Sequence, residues 1–116
     1  MNNRAFAIAL SLSLFACART SPLVNQGEQH RYNLVHGGGE AADCIARNAE
    51  KMPSTSADVH LLMDGNAEVT IRGDQGRQLA FFHIESSGRN NEAAAFVAPD
   101  AARDLRGYSG SLVRGC

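Results

Sequence analysis

Four histidines, His30, His36, His60 and His83, are the residues best equipped for metal ligation or acid–base work, because imidazole is both a common metal ligand and the side chain that titrates nearest neutrality. Their spacing argues against a shared ion. Neither CxxC nor HxxxH occurs, and those short pairs are what zinc sites are usually assembled from. Nucleophilic chemistry is no better supplied. Serines are frequent, but none stands in a GxSxG elbow, and Ser109, Gly110 and Ser111 lack the strand-turn-helix setting such a nucleophile needs. Asp58, Glu68 and Glu85 fall at strand positions that face solvent and read as ordinary surface charge. Gly37, Gly38 and Gly39 precede a helix, where backbone amides can hold an anion, but match neither GxGxxG nor a phosphate-binding loop. The sequence therefore offers no catalytic residue, no metal ligand set and no cofactor site, and the expectation is a protein that is not an enzyme.

Position along the chain says more than side-chain chemistry does. Arg4 is followed by an uncharged run from Ala5 to Ala16 (AFAIALSLSLFA) and then by Cys17. A short basic start, an apolar stretch and small residues at its end are the parts of a secretory signal. The run is too short for a membrane span, which takes about 20 apolar residues. Leu14, Phe15, Ala16 and Cys17 resemble the lipobox of bacterial lipoproteins. That resemblance implies cleavage before Cys17, a lipid on its thiol and attachment to the cell envelope, with Ala18 leaning toward the outer membrane over the inner. Ala16, Cys17 and Ala18 also form an A-x-A site, whose use would release a soluble secreted or periplasmic chain starting at Arg19.

Either cleavage takes Cys17 out of the thiol pool and leaves Cys44 and Cys116 in an oxidising compartment, where they are expected to pair. The ring so closed holds about 72 residues, worth roughly 4 kcal/mol in the chain-entropy model. The bridge would also staple a tail that otherwise frays.

With 44% hydrophobic and 20% charged residues and no tryptophan, the 116-residue chain has the composition of one ordinary globular domain. The net charge of −1 becomes −2 once Arg4 leaves with the leader, so there is no basic field for nucleic acid. The expected organisation is a signal peptide over 1–16, a lipid-anchored flexible tether over 17–39 and a single small α+β domain over 40–116. The tether closes on the three glycines. Glu40 to Met52 places Ala41, Ile45, Ala49 and Met52 on one stripe, broadened by Ala42 and Ala46, and Pro53 ends that helix.

After residue 57 the period changes to two, over 57–63, 67–72, 78–85 and 93–98, separated by DGN, GDQG and SSGRNN. A three-residue loop of Asp64, Gly65 and Asn66 sets Met63, Leu61 and Val59 opposite Ala67, Val69 and Ile71. In that register His60 stands beside Thr70 and lies roughly 16 Å from His83. Ala80, Phe82 and Ile84 form the core face of the third strand, and residues 99–107 read as a short helix stopped by Gly107. The expected architecture is one helix packed on a four-stranded antiparallel sheet, with a short C-terminal helix and a disulfide-stapled tail.

The opposite face of that sheet is mixed, with Leu62, Leu79 and Phe81 among His60, Glu68, Thr70 and Arg72. The favoured occupant of this face is the chain's own residues 99–115, bringing Leu105, Tyr108, Leu112 and Val113, and the alternative is a partner. The preferred functional reading is a non-catalytic binding or accessory module, held to the membrane by its lipid and meeting an envelope protein. The alternatives are a small periplasmic enzyme or metal-handling protein using His60 or His83, and a secreted inhibitor of a hydrolase.

Overall fold

The computed structural model describes residues 21–87 and 90–116. The leader and Cys17 lie outside the described residues. The elements run α1 (Leu23–Gln26), β1 (Glu28–Asn33), α2 (Gly38–Glu50), β2 (Ser56–Leu61), β3 (Ala67–Arg72), a 3-10 turn (Asp74–Gly76), β4 (Gln78–Ser87), β5 (Asn90–Val97) and α3 (Leu105–Val113). All neighbours in the sheet are antiparallel, in the order β1-β5-β4-β3-β2. Four strands form the expected meander. The fifth, β1, comes from the stretch expected to be a tether, and α2 carries the chain from one edge of the sheet to the other. The folded domain therefore starts at least as early as Ser21, where residue 40 was expected.

The helix stripe faces the sheet as its spacing requires. Ala41, Ala42, Ile45 and Ala49 are wholly buried, against Val69, Ile71, Phe82, Ile84, Ala93 and Ala95. The glycines before it pack closely instead of acting as a hinge. Gly38 begins the helix and donates its N–H to Ser86 Oγ at 2.6 Å. A Cβ there would come within 2.1 Å of the Gly65 carbonyl oxygen, a distance at which the backbone would have to move.

The first hairpin is two residues out of the expected register. Leu61 pairs with Ala67, Val59 with Val69 and Ala57 with Ile71. Side chains in the loop explain the shift. Asp64 Oδ1 accepts from the Asn66 N–H at 3.2 Å, and Asn66 Oδ1 accepts from the Ser86 N–H at 3.0 Å, so both favour a longer loop tied to β4. Met63, expected inward, is fully exposed, and Val59 and Leu61 lie 37% and 65% exposed at the rim of the sheet. Ala80, Phe82 and Ile84 do face the core, with no exposure at all.

The second long helix is displaced from its expected place. Asp104 caps α3 by accepting the Gly107 N–H at 3.0 Å, and the helix runs through Gly107 and Gly110 to Val113. Gly107 reads as a stop signal, but packing overrides the low propensity of both glycines. Ser109 is wholly buried and hydrogen-bonds the Tyr32 hydroxyl, which also donates to the Arg106 carbonyl at 3.1 Å. The predicted course of residues 99–115 over the outer face is therefore wrong: Leu105, Tyr108, Leu112 and Val113 join the main core on the helix side.

The C-terminal end of α3 is bound from three directions. Cys44 and Cys116 form the expected disulfide, with Cα atoms 5.6 Å apart. Asn48 Nδ2 donates to the Leu112 and Arg114 carbonyls at 2.8 and 3.1 Å, supplying donors to carbonyls a helix end leaves without partners. The Cys116 carbonyl accepts from the Val35 and His36 N–H groups at 3.0 and 2.9 Å.

Candidate functional site

Both long helices lie on one face of the sheet, so the other face is where side chains with chemistry collect. Cross-strand pairing sets His60, Glu68, His83, Ala94 and Arg31 in one row, and Asp58, Thr70, Phe81, Phe96 and Gln29 in the next. His60 and His83 thus flank Glu68 two strand spacings apart, about 10 Å, where the sequence reading placed them farther away. His83 stands between two carboxylates, with Nδ1 3.5 Å from Glu68 and Nε2 3.4 Å from Glu85. Glu85 is directly opposite Glu92, a like-charged pair that is unfavourable by itself. Arg31 offsets it with an ion pair to Glu92. Among the described residues, no three His, Cys, Asp or Glu side chains are placed to hold a metal ion together.

Phe81 and Phe96 floor this face, with ring centroids 6.4 Å apart. Part of the floor is roofed by the segment that opens the domain. Leu23 packs on Phe81 and Ala98, all three under one-tenth exposed, while the Ser21 hydroxyl donates to Gln78 Oε1 at 2.8 Å. The roof leaves a shallow depression on each side. One, of about 450 Å³, is bounded by Val24, Gln29, Arg31, His83, Glu92 and Phe96. The other, of about 760 Å³, is bounded by Asp58, His60, Leu62, Thr70 and Arg72. Ser21, Glu68 and Phe81 border both.

The three residues expected to form a partner surface separate. Leu62 lines the second depression. Phe81 is covered by the chain itself, through residues 21–24 instead of 99–115. Leu79 packs against the main core beside Gly73, because the irregularity between Ile71 and Arg72 sets Arg72 opposite Gln78 and turns Leu79 out of the row. Arg31, Gln29, Glu92 and Phe96 were missed, since their side chains meet only once β1 is recognised as a strand.

The remaining histidines lie elsewhere. His36 is half-exposed, 3.1 Å from Glu40. His30, expected in an unheld tether, is nine-tenths buried on the helix side of β1. A Glu28 oxygen lies 2.9 Å from its Nε2 but off the hydrogen-bond direction, so that nitrogen has no hydrogen-bond partner among the described residues. Compared with protein-family models, with curated proteins and with solved structures, the chain matches none.

Proposed function

We propose that this chain is an exported envelope lipoprotein, anchored through Cys17, whose domain is a non-catalytic binding module that receives a protein partner on the outer face of its sheet. The observation that carries the reading is the division of labour between the two faces. Helices and disulfide close one, while the other holds two open depressions with charged rims over an aromatic floor. Concave, partly apolar surfaces with a few converging polar groups are where binding energy concentrates. The exit of the chain fits the same picture. Ser21 lies on the outer face, so four residues join the proposed lipid to the rim of the proposed site.

Photocrosslinking in intact envelope tests this. A photoreactive residue at Gln29 or Leu62 is expected to capture one defined envelope protein, and the same group at Arg47 on α2 is expected to capture none. Equal labelling from both faces would sink the reading. Cys17→Ser is expected to release the protein from the membrane fraction.

A further inference from the structure

We propose that two copies of this chain pair edge to edge through β2, antiparallel and about a two-fold axis at Val59, to make one continuous sheet. β2 is the outermost strand on its side, and one of its two backbone edges meets no other described strand. Edge strands usually carry protection, as Lys, Pro, a bulge or a covering loop. Residues 56–61 contain neither Lys nor Pro, and the pairing of β2 with β3 runs without a bulge. Val59 and Leu61 are exposed on the strand's helix side, and Met63 beyond it is fully exposed.

The residue pattern identifies a second copy as the occupant. In an antiparallel pair related by a two-fold axis, one residue stands opposite its own copy and its neighbours pair symmetrically about it. Centred on Val59, Ala57 meets Leu61 of the copy on the helix side. On the outer side Asp58, already held by Arg72 of its own chain at 2.8 Å, meets His60 of the copy, and His60 meets Asp58, so each imidazole faces a carboxylate. Centring on Asp58 or His60 would instead oppose like groups, and centring on Leu61 would draw the partner onto the Leu62–Asn66 loop. The Val59 register pairs residues 57–61 with complementary partners and leaves Ser56 opposite Leu62 at each end.

The two-fold axis also suits attachment to one surface. Standing perpendicular to the sheet, it keeps both outer faces, and both Ser21 exits, on the same side. Two chains held in one membrane could thus pair without either turning over.

The test uses the full chain in its own membrane. Val59→Cys is expected to form a disulfide-linked dimer, since opposed Cα atoms at about 4.5–5.5 Å lie within disulfide reach. Gln29→Cys, on the opposite edge strand, is expected to stay monomeric. Register is read by co-expressing Asp58→Cys with His60→Cys, which should crosslink together and not singly. For the purified chain in detergent, Asp58→Lys places a cation opposite His60 twice and should weaken dimerisation roughly tenfold. The charge-swapped D58H/H60D chain should restore it. The proposal is overturned if Val59→Cys yields only monomer, or if it crosslinks solely to a different protein.

Discussion

On the helix side of the sheet, Val69, Phe82 and Ala95 make a cross-strand row with no solvent exposure. One residue along the same three strands, Glu68, His83 and Ala94 make the adjoining row on the other side, and two of those three can carry charge. The backbone is shared, so the contrast arises from what is packed on each face. The helix side receives two amphipathic helices and a disulfide, with alanines on α2 and β5 letting the layers approach. The outer side receives residues 21–26, enough to cover the centre of the floor and leave its flanks open. The same period-two alternation therefore builds a rigid core and an adaptable surface, and only the length of the covering segment sets where one gives way to the other.

The sharpest way to break this comparison is to truncate the two adjacent phenylalanines. Phe82→Ala, in the sealed row, is expected to cost about 3–5 kcal/mol in urea unfolding. Cys116→Ala follows at roughly 2–4 kcal/mol, and it should raise amide exchange at Val35 and His36, whose N–H groups bind the Cys116 carbonyl. Phe81→Ser, buried at 7% exposure but under a single short segment, is expected to cost about 2–3 kcal/mol, the low end for a buried aromatic. It should leave a cooperative transition and abolish outer-face crosslinking. A loss equal to that of Phe82→Ala would make the outer floor part of the core and remove the contrast.

The smallest effect concerns Tyr108, whose buried hydroxyl has no hydrogen-bond partner among the described residues and whose phenol is raised above its ordinary value of 10.0 by burial. The folded state holds this proton more tightly than the unfolded chain does. Its contribution is therefore complete below about pH 10 and is lost as pH climbs from there through the folded value. Tyr108→Phe should leave stability at neutral pH within about 0.5 kcal/mol and flatten the alkaline fall seen in thermal melts.

Much of the helix side was legible because aliphatic spacing reports burial directly. The stripe Ala41, Ile45 and Ala49 and the set Ala80, Phe82 and Ile84 fall where their periods put them. Three things were hidden, each for a physical reason. β1, with the sequence EQHRYN, has no aliphatic residue: its inward positions are His30 and Tyr32, whose burial rests on β5 and α3. α3 contains Gly107, which a local reading takes as a stop, while the contacts that hold the helix, from Tyr32 and Asn48, come from distant parts of the chain. The β2–β3 register turned on side-chain hydrogen bonds of Asp64 and Asn66, which alternation of apolar residues does not encode. The candidate site inherits these gaps. Its β3 and β4 residues were seen as a mixed face, but the Arg31–Glu92 half needed the unseen strand.

The crossover made by α2 also has a kinetic side. β2 to β5 pair strictly with their sequence neighbours and can zip as successive hairpins, whereas β1 must wait for β5, joining residues as far apart as Glu28 and Val97. Long closures of this kind slow folding more than local ones do. The first of the described strands to be synthesised is then the last to be placed, and while it waits the β5 edge stands open to mispairing. A refolding experiment should show hairpin contacts within β2–β5 protected before the amides of β1.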